Sequence, residues 1–331
     1  MKAYKVKAYN PVWFGGLRHM TMEEEHYMKS DVFPNIMRFF KFVKDSDRKG
    51  ACYGVFLYDE RKNTFLFPAP ADIVGKRKTG GDWKVLTLRR LTLPTCKEEK
   101  LLPLIRGSLT AFETVEGYAI TSKGLEAWME ASPDIELVKL KDLVKTEMKV
   151  GLKIDKDTKT AQESLLYFQE RVRLKDGISF VFLANRKGSW SFLGGERNPA
   201  VVEEVKDLPE LFSQRVQVKK GRYYKLYLLT HTYIEEAKEG KEIKLRGIEG
   251  KMELKFELAW IFSRGSEFVS GYNKPALEML KPGCVLVLKA TTEGDFSSLC
   301  QVLVSEKLFN IDNLKRFNES GWNTGILTEG G

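Results

Sequence analysis

Histidine and cysteine are scarce in this chain. The three histidines, His19, His26 and His231, stand far apart, and the four cysteines form no C-x-x-C pair, so no zinc site is spelled out. No apolar run approaches the roughly 18 residues of a membrane helix. The opening Met1-Lys2-Ala3-Tyr4-Lys5-Val6-Lys7 lacks the apolar core of a secretion signal. These gaps lead to the expectation of a cytoplasmic protein with reduced thiols, no membrane association, no metal and no cofactor. Catalytic signatures are missing as well. There is no G-x-x-x-x-G-K-[ST] phosphate loop, no G-x-G-x-x-G after a strand, no H-E-x-x-H and no G-x-S-x-G elbow. Asp31, Asp72 and Glu196 are separate carboxylates with nothing in the sequence pairing them as acid and base.

Charge, by contrast, is plentiful. The chain carries 54 basic against 45 acidic residues, a net +9 with pI near 9.1. Such a surplus favours a polyanionic partner, most simply nucleic acid, although solubility alone would also account for it. A chain of 331 residues is too long for one ordinary core, and 43% apolar with 30% charged composition fits a soluble globular protein. Two domains are the expectation.

Period-2 alternation marks the first strand, where Tyr4, Val6 and Ala8 alternate with Lys5 and Lys7. Helical spacing of Ile36, Phe39, Phe40 and Val43 after Pro34 predicts a helix with one buried face; Arg38 and Lys41 lie off its apolar stripe. Further strands are expected at 51–58, 63–67, 83–93, 165–172, 180–183, 222–234, 260–262 and 285–289, with a last one after Gly321. Ser122 is placed at the start of a helix through Trp128, and 201–205 reads equally as strand or helix. A second clean alternation, Met148, Val150, Leu152 and Ile154, repeats the character of the opening strand. The expected boundary therefore divides 1–147 from 148–331, with no flexible linker between the halves.

Three stretches mix the residue types that grip a phosphate backbone. The segment 12–19 combines Trp13, Phe14, two glycines, Arg18 and His19; aromatics can stack on bases while cations hold phosphates, and Trp13 and Phe14 are equally suited to a core. A basic run, Lys76, Arg77 and Lys78, is bounded by glycines. In Trp190-Ser191-Phe192-Leu193-Gly194-Gly195-Glu196-Arg197, the glycine pair lets another chain approach the backbone and Arg197 offers a planar donor fork. A tight hairpin with a surface ion pair is the plainer reading of that last stretch.

An ordered set of motifs resembles the RAMP superfamily of CRISPR-system RNA-binding proteins, and within it the subunit-three family of the Cmr effector complex (type III-B). The set comprises Phe67-Pro68-Ala69-Pro70-Ala71-Asp72, then Gly151-Leu152-Lys153-Ile154-Asp155. Leu193-Gly194-Gly195-Glu196-Arg197, Ser270-Gly271-Tyr272-Asn273, Pro282-Gly283 and Gly321-Trp322-Asn323 follow. The last departs from the family's G-F-G at Asn323, a residue that tolerates left-handed angles. The segment 12–19 differs from the family's usual acidic and arginine-containing loop, and 76–125 aligns with nothing quotable.

This resemblance implies an α+β fold of two tandem ferredoxin-like (RRM-like) domains, antiparallel sheets with helices on one face. It implies a non-catalytic subunit that binds and caps the crRNA 5′ handle in a hetero-oligomeric ribonucleoprotein. The large polymerase/cyclase-type subunit and the RNA-cleaving backbone subunits would be its neighbours. Arg18, His19, Lys76, Arg77, Lys78, Gly194, Gly195, Arg197, Gly321 and Asn323 are the expected RNA-site residues. Three alternatives compete: an endoribonuclease of the same superfamily with His19 as general base, a pure protein scaffold, and the equivalent end-capping subunit of a type III-A complex.

Overall fold

The computed structural model describes residues 1–15, 26–44, 50–75, 83–92, 99–104, 113–154, 161–194, 198–250, 252–269, 277–304 and 319–330. Among these the chain is mostly antiparallel strand, and its helices are few and short. An eight-stranded sheet forms the first body. Its centre runs, neighbour to neighbour, 198–205, Lys2–Ala8, Ile178–Ala184, Cys52–Asp59. The run Phe180 to Leu183 is continuously apolar because both faces of this sheet are covered. Phe180 and Phe182 join Tyr4 and Val6 on one side, while Val181 and Leu183 join Ala3 and Phe56 on the other. Each of these large side chains, once buried, stabilises the fold by about 1.5–3 kcal/mol.

The helical segment falls where the spacing places it, as a 3-10 turn Ile36–Phe39 continuing into α-helix Phe40–Val43. Ile36, Phe39, Phe42 and Val43 pack on the Tyr4 side of the sheet. Ser122–Met129 forms the longest helix described, capped by Thr121, whose hydroxyl accepts from Gly124 N at 3.0 Å. Leu125 and Trp128 pack on the opposite side, with Phe56 and Val181. The helices therefore do not share one face, contrary to expectation.

A six-stranded closed barrel forms the second body, in the order Tyr223–Leu228, Val285–Ala290, Glu253–Phe262, Glu242–Gly247, Leu299–Val302, Thr324–Glu329. Leu226, Leu228, Phe256, Leu286 and Leu288 fill its interior, and closure leaves no unpaired edge. The outer wall at Tyr227, Val285, Val287 and Ile326 lies in the same core as Phe56 and Val181, so sheet and barrel share one layer of packing. In both bodies four strands recur in the spatial order fourth, first, third, second. These are 198–205, 2–8, 178–184 and 52–59 in the sheet, and 324–329, 223–228, 285–290 and 253–262 in the barrel.

The expected boundary between 147 and 148 does not separate these bodies. It falls inside strand Val144–Ile154, one arm of a long hairpin with Ala161–Leu174. Met148 and Val150, whose alternation resembles an opening strand, are half exposed at 51% and 53%. Residues 178–205 then return to complete the first sheet.

The Pro68–Asp72 segment clasps the two bodies together. Pro68 and Pro70 have no N–H for a ladder, and their carbonyls accept instead from the barrel side. The Tyr227 hydroxyl donates to Pro68 O at 2.5 Å, and Arg264 donates to Ala69 O at 2.6 Å and Pro70 O at 3.3 Å. Ala71 N donates to Gly283 O at 2.8 Å. Asp72, fully buried, accepts from Lys225 Nζ at 2.7 Å and Trp128 Nε1 at 2.9 Å. The segment that carries part of the family resemblance is therefore internal mortar.

Candidate nucleic-acid interface

Two of the three stretches singled out above meet at one end of the sheet. Tyr9 N donates to Pro199 O at 3.4 Å, Asn198 Nδ2 to Pro11 O at 3.4 Å, and Ala200 N to Ser191 O at 2.8 Å. The turn between them reaches Gly194 at φ +76, in the left-handed region that glycine enters freely. A side chain there would meet nothing nearer than Trp13 O at 3.9 Å. Arg18, His19, Gly195 and Arg197 lie outside the described residues.

Three of the seven large hydrophobics exposed among the described residues sit here: Tyr9 at 61%, Phe192 at 38% and Val201 at 40%. Register explains why they cluster. Phe192 lies opposite Pro199 and Lys7 opposite Val201, so their side chains share one face of the sheet. Trp190 packs edge-on against Phe192, ring centroids 5.7 Å apart, and Lys41 Nζ stands 4.5 Å from the Trp190 ring centroid. The basic turn 186–188 is pinned to the end of the helix by Gly188 N donating to Phe42 O at 2.6 Å, and Lys187 Nζ donates to Val202 O at 2.9 Å. Among the described residues, Lys7, Lys41 and Arg186 are in no ion pair; Lys2 and Lys5 are taken up by Glu204, Glu203 and Glu60. Exposed rings beside unpaired cations are the elements of a single-strand site.

Arg38 has a different task. Its guanidinium donates to Gly15 O, tying the 12–15 loop to the helix, and burial lowers its pKa. Phe14 is a core residue, edge-on to Phe180, while Trp13 is half-buried beside Gly15. Tyr9, Lys7 and Val201 were missed by sequence reasoning, because only the strand register brings them beside Phe192. The alternation Lys5, Lys7, Tyr9 was the signal that could have found them.

Lys76, Arg77 and Lys78 lie outside the described residues. Their root, Ile73–Gly75, places Ile73 in the core with Ala3 and Val205, the face of the sheet on which Lys7 and Val201 also stand, apart from Phe14 and Leu193. Gly321 and Asn323 are buried. The Asn323 side chain accepts from Tyr233 N at 2.8 Å and donates to Val302 O at 3.1 Å and Tyr233 O at 3.3 Å. Every polar atom of that side chain is spent internally, within the closing turn. His231 is also interior, 2% exposed, with Nε2 3.1 Å from Glu267 Oε2.

Burial pushes the Cys52 thiol up to about 12, and the Cys284 and Cys300 thiols upward as well, so these buried sulfurs stay protonated. No group of three or more His, Cys, Asp or Glu that could hold a metal occurs among the described residues. No helix among them is long and apolar enough to cross a membrane.

The model of the CRISPR-associated protein family Cas_Cmr3 matches residues 17–328. No curated protein matches the chain. Among solved structures, a chain of the type III-B Cmr-beta bound to cognate target RNA is similar at 15% identity, covering 86% of each chain with TM-score 0.42. A chain of Cmr-beta with cognate target RNA and AMPPnP, state 1, gives 15% identity, 86% of each chain and TM-score 0.43. A chain of the Csm3-Csm4 subcomplex of the type III-A CRISPR-Cas interference complex gives 14% identity, 90% of this chain, 99% of that one and TM-score 0.39.

Proposed function

Because the chain belongs to the Cas_Cmr3 family of CRISPR-associated proteins, we propose that it is a non-catalytic RNA-binding subunit of a cytoplasmic type III-B effector particle. In this reading it caps the 5′ handle of the guide RNA. It also joins the large polymerase/cyclase-type subunit to the RNA-cleaving backbone subunits. The observation that carries the RNA part is the Tyr9–Phe192–Val201 face with Lys7, Lys41 and Arg186 around it. Splayed nucleotides need flat surfaces to stack on and positive charge for their phosphates. Gly15 and Gly194, the last described residues before Arg18, His19, Gly195 and Arg197, lie at this same end, and we assign those four, with Lys76, Arg77 and Lys78, to the handle path.

The strand order met twice, fourth–first–third–second, is that of the ferredoxin-like fold. We read the sheet and the barrel as two such units, the first split by a long insertion at 60–177, with the division between 205 and 223.

Replacing Tyr9 and Phe192 by alanine is expected to weaken guide binding by about 1–3 kcal/mol for each stacked base lost. Replacing Lys7, Lys41 and Arg186 should make the log–log salt slope shallower by about 2, at roughly 0.7 per single-strand phosphate contact. Filter binding at several salt concentrations measures both, with the thermal midpoint as a folding control. Unchanged affinity in both variants would remove this face from the RNA path. Bond cleavage needs a reachable general base, and His231 is enclosed. Labelled precursor guide incubated with the purified chain should stay intact; cutting that vanishes in His19→Ala would replace this reading with the endoribonuclease.

A further inference from the structure

Away from the aromatic face, a cleft of about 690 Å³ lies at the seam of sheet and barrel, a size at which pockets hold ligands. Phe33, Pro68, Tyr118 and Leu140 line it from the first body and Pro282 from the second. Set in the same wall is the Arg264 guanidinium. Its Nε donates to Ala69 O and its Nη2 to Pro70 O, which fixes the fork and leaves Nη1 without an acceptor among the described residues. Two carbonyls hold this group but do not neutralise it. Asp72 is taken by Lys225 at 2.7 Å, and no carboxylate of the described residues forms an ion pair with Arg264. Burial lowers the Arg264 pKa, as expected of a cation withdrawn from water. His231 lines the cleft as well, 2% exposed, with Nε2 facing Glu267 at 3.1 Å and Nδ1 buried without a partner.

A guanidinium stays charged even when desolvated, and a charge kept from water is unfavourable until an opposite charge meets it. Arg264 therefore calls for an anion in the cleft, and the other charges on the wall decide which kind. Lys29, Lys281 and Arg264 face Asp31, Glu116 and Glu170, three against three, and Lys281 Nζ already lies 3.8 Å from Asp31 Oδ1. A wall so balanced does not draw a run of phosphates, which its three carboxylates repel. It suits a single carboxylate carried on an apolar body. A polypeptide also brings backbone N–H donors, which the wall's carboxylates accept. The unpartnered His231 Nδ1 is an acceptor too when Nε2 carries the ring proton.

We propose that this seam cleft is the docking site of a partner-protein segment, which seats an Asp or Glu carboxylate on Arg264 and an adjacent apolar side chain against Phe33, Pro68 and Leu140. Arg264 is the anchor because its planar fork, already fixed by the 69–70 carbonyls, meets a carboxylate in one orientation. Lys29, exposed on the same lining, adds positive charge at the rim. Lys7, Lys41 and Arg186 do not line the cleft, so the site stands whether or not the aromatic face carries RNA.

The probe is the capped dipeptide N-acetyl-Asp-Phe-amide, titrated into the full-length chain up to millimolar concentration and followed by ligand-observed NMR. Its neutral twin, N-acetyl-Asn-Phe-amide, and an oligouridylate are run beside it. The acid should bind about tenfold more tightly than the amide, the margin of a charged over a neutral hydrogen bond. Arg264→Gln keeps an amide donor for the 69–70 carbonyls but loses the charge, and should erase that preference. Lys29→Glu leaves every seam bond in place and should weaken the acid by about two- to fivefold with the thermal midpoint unchanged. Should Arg264→Gln unfold the seam, Lys29→Glu alone decides. Absence of binding, or equal binding of acid and amide, overturns the site. So does a preference that survives in the folded Arg264→Gln chain, or affinity unmoved by Lys29→Glu. Oligouridylate that displaces the acid would make the cleft an RNA site and overturns the proposal as well.

Discussion

Asp72→Ala is expected to cost about 3–5 kcal/mol of folding stability, the loss seen when one member of a buried ion pair is removed. The carboxylate is completely enclosed, and without it the Lys225 ammonium keeps the Leu86 carbonyl at 3.4 Å and the Trp128 ring, its centroid 5.4 Å away. Trp128 Nε1, which donates to Asp72 at 2.9 Å, would be left in the core without an acceptor. The damage should be local to the seam, since Lys225 belongs to the barrel strand Tyr223–Leu228 and Trp128 to the helix on the sheet. Adding Lys225→Met to Asp72→Ala should recover part of the loss, because an apolar side chain has no charge to strand. Urea unfolding with the midpoint and slope read separately measures this. An Asp72→Ala chain within about 1 kcal/mol of the unaltered one, the worth of an exposed pair, would mean that the seam does not rely on this contact.

The role of Asp72 shows where sequence reading stops. An aspartate after two prolines looks like part of a polar loop, and its partner Lys225 is 153 positions away in an alternation that reads as ordinary strand. The strands themselves were legible wherever the apolar pattern was strong, as at 2–8, 52–59 and 178–184. Strand Glu242–Gly247 was hidden because its outward side carries Glu242, Lys244 and Arg246, and the charge obscured Ile243 and Leu245 between them. Pairing is a tertiary fact, so the return of residues 178–205 to the sheet begun by 2–8 and 52–59 left no trace in local periodicity. The candidate RNA face was half legible. Its glycine turn and Trp190–Phe192 stood out, whereas Tyr9 and Val201 needed the register of Lys2–Ala8 on 198–205.

Two glycines from the same set of family motifs should respond very differently to alanine. At Gly194 the backbone has φ +76 and open space, so Gly194→Ala carries mainly the left-handed penalty of about 1–2 kcal/mol. At Gly321 the backbone has φ +96, and an added Cβ would lie 2.0 Å from Cys52 O and 2.5 Å from Cys52 C. Strain of about 1–3 kcal/mol is then joined by an overpacking cost of about 1–3 kcal/mol. Neither chain can yield cheaply. Cys52 N donates to Ser320 O at 3.0 Å, and Thr324 Oγ1 donates to Gly321 O at 2.7 Å. The turn therefore fastens the last barrel strand, Thr324–Glu329, to the start of sheet strand Cys52–Asp59. Gly321→Ala should lower the thermal midpoint far more than Gly194→Ala, while Gly194→Ala should leave the barrel's exchange protection intact. Equal losses for the two would show that backbone angle alone, rather than the approach of sheet to barrel, requires glycine at 321.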